Sequence, residues 1–279
     1  MQEFRDIAVP GTHGRPIYTD VFIPDGKGPF PLLVFAHGFK GFKDWGHFNQ
    51  MAGWWVSRGF AFCKFNFSHN GIDAPGSAEL TDLEAFGNNN FSIELDDLGN
   101  LFDWLEQQRE VYAFDLDRLF LAGHSRGGGL AMLKATEDTR IKKVISWAGV
   151  PDLAKYWYGD LLDNWKKEGV QYVVNSRTGQ KLPMYIQFYE DYEAHKARLD
   201  LVGRMHLLQQ PLLHIHGDAD EAVPVSWAYD LKERHPDTAL HILSGMNHVF
   251  GSKHPWEKDE MAEGVLQVLT ITEAFLKKE

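Results

Sequence analysis

One cysteine, Cys63 in the run FAFCKF, stands in 279 residues, so no intrachain disulfide can form and packing has to hold the fold. Its apolar neighbours mark it as a buried strand residue and not a reactive thiol. No apolar run approaches the roughly 20 residues that cross a bilayer. Basic residues are scarce: 28 Lys and Arg face 39 Asp and Glu, a net charge of −11. A surface of that sign repels nucleic-acid phosphates and anionic lipid, so neither nucleic acid nor membrane is an expected partner. The opening MQEFRDIAVPG lacks the basic-then-apolar pattern of a secretory leader, and the expectation is a cytoplasmic protein. Internal repeats and low-complexity tracts are missing too.

What the chain has is an alternation of short β-branched or aromatic runs with helical patterns. Ile17–Ile23 reads as an early strand, and PLLVFAHG, FAFCKFNF, RLFLAG, KKVISWAG, QPLLHIHG and TALHIL as later ones. A continuous apolar run such as PLLVFA marks a strand covered on both faces. Trp45, Phe48, Ala52, Trp55 and Val56 fall at helical spacing, with Asp44 as the expected N-cap and Gly59 as the stop. Leu95, Leu98, Leu101, Phe102 and Leu105 form a second helical stripe, and a last helix is expected from Glu257 to Lys277. Strands separated by helices imply right-handed crossovers and a mostly parallel sheet with helices on both faces, an α/β fold.

Two segments break this rhythm. Ser68 to Asn90 is polar and reads as a long loop. Pro151 to Gln210 combines helical fragments, the alternating VQYVV and many aromatics, among them Tyr156, Trp157, Tyr158, Trp165 and Tyr189. It reads as a small cap inserted into a core formed by 1–150 and 211–279, with its aromatics lining a pocket.

The stretch LFLAGHSRGGGLAMLKA places three glycines, Gly127 to Gly129, in the first turns of an expected helix. Glycine costs a helix roughly 0.5–1 kcal/mol relative to alanine, so something must lie very close to that backbone. Gly123-His124-Ser125-Arg126-Gly127 fits G-x-S-x-G between a strand and a helix, the context of a nucleophile elbow. The helix start also offers unpaired N–H groups to a developing oxyanion. A serine hydroxyl needs a base within hydrogen-bond reach, and the base needs an orienting acid, expected in the order Ser, Asp or Glu, His. His248, at a glycine-containing turn after the last strand, is the base. Asp218 and Asp220 compete for the acid, with Glu221 a distant third. Both partner loops leave strand ends, where open α/β sheets place ligands.

On these residues the chain resembles an α/β-hydrolase, nearest the esterase and dienelactone-hydrolase-like branch. The resemblance rests on His37-Gly38-Phe39, on GHSRGG, on HGDADEAVP (His216–Pro224) and on Met246-Asn247-His248, and it covers nearly the whole chain in order. It implies that the acid is Asp220, four residues before Pro224, and that Asp218 holds the turn. It also implies an oxyanion hole from the N–H groups of Phe39 and Arg126, each donor typically contributing about 2.7–4 kcal/mol to lowering the barrier. His37 is then expected to be structural. Dienelactone hydrolases proper use cysteine where this chain has Ser125.

The expected activity is cleavage of a carboxylic ester through an acyl-enzyme, with no cofactor and no metal. Phe39, His124, Tyr156, Trp157 and Tyr189 are the expected substrate contacts. Peptidase, thioesterase and acyltransferase activity use the same chemistry, and a non-catalytic binding protein on this fold is the alternative from another class. The H-x-H-x-D pattern of His214, His216 and Asp218 resembles the start of a metal-ligand cluster, but position 219 is alanine and His214 alternates with core residues. The expected partner is a small-molecule ester; monomer and homodimer both stay open.

Overall fold

The computed structural model describes residues 1–154 and 159–278. Each β-branched or aromatic run becomes a strand, and β1 and β8 add to them: β1 Gln2–Pro10, β2 Pro16–Ile23, β3 Phe30–Ala36, β4 Ala61–Phe65, β5 Phe114–His124, β6 Lys143–Trp147, β7 Val170–Val174, β8 Lys181–Tyr185, β9 Leu212–Gly217 and β10 Ala239–Leu243. Eight of them form one sheet in the order β1-β2-β4-β3-β5-β6-β9-β10. β2 pairs antiparallel with β1 and β4, and the pairings from β4 through β10 are parallel.

The pleat sorts the apolar residues to two faces. Leu32, Val34 and Ala36 of β3 join one core cluster, while Leu33 and Phe35 join the other. The helices Phe91–Gln107 and Arg126–Ala135 cover the first face; Phe48–Val56 and Glu263–Leu276 cover the second. This double cover is why the central strands read as unbroken apolar runs.

Several local expectations change. β1 was not expected: only Val9 in it is buried, and a bulge between Phe4 and Ile7, with Asp6 at φ +54°, blurs its alternation. The segment from Ser68 to Asn90 is no structureless loop. Its first residues are buried, and it contains the helix Leu83–Gly87, whose N-cap Asp82 accepts a bond from Ala85 N–H. The last helix begins at Glu263, not Glu257.

Asp44 is not the N-cap of the helix that starts at Phe48. Its carboxylate instead meets two lysines, 2.7 Å from Lys43 Nζ and in contact with Lys64 Nζ. Asp20, fully buried, lies 2.9 Å from Lys43 and 2.7 Å from Lys64. β4 is buried at every position, so Lys64 is enclosed by sheet and needs these carboxylates as partners. Burial raises the pKa of Asp44, but the two ammonium groups outweigh it and lower the value to about 2.

Residues 151–210 leave the main sheet after β6 and return to it at β9. Their strands β7 and β8 pair antiparallel in a separate two-stranded sheet. This hairpin leans on the 74–90 segment: Arg177 donates to Ala78 O at 2.9 Å, Gln180 donates to Leu80 O at 2.9 Å, and Tyr185 crosses the face of Gly87.

Candidate active site

Ser125 follows β5 with φ +56° and ψ −121°, a conformation a serine adopts only when its surroundings impose it. Its N–H donates to Trp147 O of β6 at 2.9 Å, and its carbonyl accepts from Gly128 N and Gly129 N. The glycines around it are required by close approach. A Cβ on Gly123 would sit 2.2 Å from Gly127 O, and one on Gly127 would sit 2.4 Å from Ala36 O. Gly128 and Gly129 are pressed in the same way against Ser146 and Val150. The helix therefore gives up propensity so that β5 can turn into it within one residue.

The loop after β3 lies against the serine. A Cβ on Gly38 would come within 3.0 Å of Ser125 Cβ. His37 holds this loop from below: its Nδ1 donates to Gly38 O at 2.9 Å, and Phe67 N–H approaches its Nε2 at 3.4 Å. Burial lowers its pKa to about 4, so the ring is neutral, and the nearby Arg126 charge adds to that shift. Both carboxyl ends, of β3 and β5, thus deliver backbone to one spot.

β9 and β10 deliver the other half. His248 Nδ1 lies 2.8 Å from Asp220 Oδ2, and the Asp220 carboxylate is fully buried. Its Oδ1 accepts from Ala222 N and Val223 N, each at 2.8 Å. Burial works to raise the Asp220 pKa, but bonds from His216, His248 and Val223 N–H hold it far below the usual carboxylate range. Asp218 does something else: its Oδ1 accepts from Gly245 N at 2.6 Å, tying the β9 loop to the β10 loop.

Behind Asp220 stands a buried pair of histidines. His216 Nε2 lies 3.2 Å from Asp220 Oδ2 and donates to Val223 O at 2.9 Å. That leaves its Nδ1 to accept from His214 Nε2, 3.1 Å away. The H-x-H pattern is thus spent inward, toward the carboxylate. Among the described residues no group of three or more His, Cys, Asp or Glu is arranged to hold a metal ion.

Ser125 and His248 face one cavity of about 500 Å³. Phe39 and Arg126 line it as well, so four of the residues singled out in the sequence meet there. Two expected contacts sit elsewhere. His124 turns its Nε2 to His248 O at 2.8 Å and braces that loop, and burial lowers its pKa to about 3. Tyr189 packs against the core with the Lys166 ammonium over its ring at 4.7 Å, and does not line the cavity. Tyr156 and Trp157 lie outside the described residues. Phe188, one of the aromatics of the 151–210 segment expected to line a pocket, does line it, and much of the remaining wall comes from residues that sequence reasoning passed over: Lys40, Phe91, Leu161, Gln171, Val173 and Met184. The period-2 pattern of VQYVV was the available signal, since it puts Gln171 and Val173 on one face of β7.

Residues 47–263 match the prolyl oligopeptidase family, a span that takes in the elbow, both partner loops and the inserted hairpin. The chain belongs to the prolyl oligopeptidase family. Among curated proteins it is similar to the 2,6-dihydropseudooxynicotine hydrolase of Paenarthrobacter nicotinovorans, 26% identical over 230 residues that cover 82% of this chain and 55% of that one. The chain therefore spans about half the length of that relative. Among solved structures, Est1E from Butyrivibrio proteoclasticus with bound ferulic acid superposes with a TM-score of 0.73 at 18% identity, covering 97% of this chain and 98% of that one. The dienelactone hydrolase from Anabaena variabilis superposes at 0.64 with 18% identity, covering 98% and 95% of the two chains. At such identities the likeness is one of fold, and the fold is that of the α/β-hydrolases. In this prolyl oligopeptidase-family chain, Ser125, Asp220 and His248 all sit at the carboxyl ends of parallel strands, just after β5, β9 and β10.

Proposed function

We propose that the chain is a serine hydrolase that cleaves carboxylic esters through an acyl-enzyme. Ser125 Oγ attacks the carbonyl carbon while His248 Nε2 takes its proton, and the Asp220 carboxylate holds the Nδ1–H of the resulting imidazolium. The oxyanion that forms receives the N–H groups of Phe39 and Arg126, the latter at the first position of its helix, where backbone donors have no intrahelical partner. His248 then protonates the leaving alcohol as the C–O bond breaks. Water, deprotonated by the same imidazole, attacks the acyl-enzyme and releases the acid and Ser125.

The observation that carries this reading is the 2.8 Å bond from His248 to a fully buried Asp220, with His248 opening on the same cavity as a serine held at φ +56°. A largely apolar cavity of about 500 Å³ suits a small ester better than a folded polypeptide segment. The family match favours a second reading, cleavage of amide bonds in short peptides by the same groups.

The test is hydrolysis of 4-nitrophenyl esters of rising acyl length beside 4-nitroanilide amides, in wild type, Ser125→Ala and wild type with EDTA. Ester turnover that disappears in Ser125→Ala and ignores EDTA supports the proposal. Faster turnover of the anilides would move the assignment to a peptidase. Activity that survives in Ser125→Ala would sink the nucleophile.

A further inference from the structure

The two proposed oxyanion donors, Phe39 and Arg126, come from separate elements, yet their side chains meet. The Arg126 guanidinium lies 4.0 Å over the Phe39 ring. Phe39 belongs to the loop after β3, and Arg126 opens the helix Arg126–Ala135. One contact therefore spans the two elements that would present N–H groups to the oxyanion. The guanidinium is itself well held. Phe188 and Phe91 lie 5.1 and 5.4 Å from it, and Glu94 Oε1 is 3.6 Å from Nη1. Glu94 in turn accepts from Asn89 Nδ2 at 2.8 Å.

The loop after β3 needs such a hold. Gly38 and Gly41 bracket Phe39 and Lys40, and the Gly41 N–H closes a turn on Gly38 O at 3.0 Å. Lys40 sits at φ +59°, a conformation a lysine adopts only when its surroundings impose it. Within this turn the Phe39 N–H makes no hydrogen bond to the described residues. Backbone bonding thus does not set its direction, and the Phe39 ring has to. That ring meets Phe86, at 5.6 Å between ring centres, as well as Arg126. Oxyanion donors lower a barrier only if they already point at the oxygen before its charge develops. In such a site a displacement of about 1 Å costs about 100-fold.

We propose that the Arg126 side chain is a positioning group: by stacking on Phe39 it locks the loop after β3 onto the helix that follows Ser125 and sets the spacing of the two N–H donors. The contact needs a planar cation on an aromatic face, which arginine supplies and lysine does not. The inference rests on the esterase reading above and adds to it a role for a side chain, distinct from that of the same residue's backbone. Charge balance for Glu94 is the competing role. Burial already favours the neutral form of Glu94 and raises its pKa. Replacing Arg126 therefore leaves a carboxyl that takes up a proton, and the variants should fold.

The experiment uses Arg126→Met, Arg126→Lys and Phe39→Leu, each of which keeps its backbone N–H, and the double variant Arg126→Met/Phe39→Leu. In Arg126→Met the expected kcat on the best 4-nitrophenyl ester is about 10- to 100-fold lower, with KM within about threefold. A second readout is binding of 1,1,1-trifluoro-2-octanone. Ser125 Oγ adds to its carbonyl carbon, the Ser125 proton passes to His248, and the carbonyl oxygen becomes the oxyanion. That binding should weaken by a similar factor, and binding of 2-octanone should not. Lysine should not restore kcat, and the double variant should lose no more than about threefold beyond the worse single one. A kcat within about threefold of wild type in Arg126→Met would overturn the inference, and rescue by lysine would overturn it in favour of charge balance. A loss in KM alone would make Arg126 a substrate contact instead. Single losses that multiply in the double variant would show the two side chains acting apart and reject the stack. If Arg126→Met does not fold, Phe39→Leu, which leaves the ion pair with Glu94 in place, decides on the same readouts. If wild type turns over no ester, the esterase reading fails and ketone binding decides: weaker binding in Arg126→Met supports the inference, and equal or absent binding rejects it.

Discussion

Replacing Asp220 with asparagine asks whether this carboxylate sets the proton on His248. The geometry forces the orientation of the new amide. Oδ1 receives two backbone N–H groups at 2.8 Å, from Ala222 and Val223, so the amide oxygen has to stay there. The NH2 group then occupies the Oδ2 place, 2.8 Å from His248 Nδ1 and 3.2 Å from His216 Nε2. His248 Nδ1 must become an acceptor, and its proton moves to Nε2, the atom that has to take the proton of Ser125. Loss of the correct tautomer in a serine triad costs about 10⁴-fold in kcat. That corresponds to about 5.4 kcal/mol of barrier. The assay is kcat on the best 4-nitrophenyl ester, with far-UV circular dichroism to show that the variant is folded. Asp218→Asn is the internal control: an amide oxygen still accepts from Gly245 N, and kcat should stay within about threefold of wild type. A folded Asp220→Asn protein that keeps more than about a tenth of wild-type kcat would refute the reasoning, as would an Asp218→Asn protein that is the crippled one of the two.

Two further predictions concern what holds the site. Lys64→Met removes one of the two ammonium groups that contact both Asp20 and Asp44, Lys43 being the other, and should cost up to about 3–5 kcal/mol in urea unfolding, the usual cost of breaking a buried ion pair; a loss below about 1 kcal/mol would show the cluster to be solvated. His37 and His214 are buried neutral, with pKa values lowered to about 4 and about 3, so below pH 6.5 the unfolded chain binds protons that the folded chain refuses. Stability should therefore fall with acid between about pH 6.5 and 4, by about 2–3 kcal/mol per pH unit near pH 5 if both contribute fully; a flat urea midpoint from pH 7 to 5 would contradict it.

The elements that could be read from the sequence were those in which one physical cause dominates. PLLVFA is apolar throughout because β3 is covered on both faces, and Leu95 to Leu105 repeat at helical spacing because one side of that helix meets the core. Ser125 was legible because the glycines around it have no other reason to sit in a helix. Asp44 misled for the opposite reason. An acidic residue just before an apolar helical pattern is a fair N-cap signal, and nothing local reveals that Lys64, twenty positions on and enclosed in β4, competes for the same carboxylate. The cavity wall was hardest to foresee. Lys40, Phe91, Gln171 and Phe188 come from separate elements whose side chains meet only once the hairpin of β7 and β8 has settled on the 74–90 segment. Tyr189 was a reasonable choice by residue type, but its neighbour Phe188 takes the inward face of the same helix.

The sequence is rich in histidine around the site, yet the structure divides these residues sharply by what they can do. His37 fixes the loop after β3, His214 and His216 lie beneath Asp220, and His124 braces the carbonyl of His248. His37, His124 and His214 have pKa values pressed down to about 3 or 4 with burial as the leading cause, so near neutral pH they are hydrogen-bonding struts that hold no charge. These rings spend polar groups around the site on one another. Of these histidines it is His248 that opens on the cavity, with its ring held by Asp220 and its carbonyl by His124. Much of the polar cost of the site is thus met inside the fold.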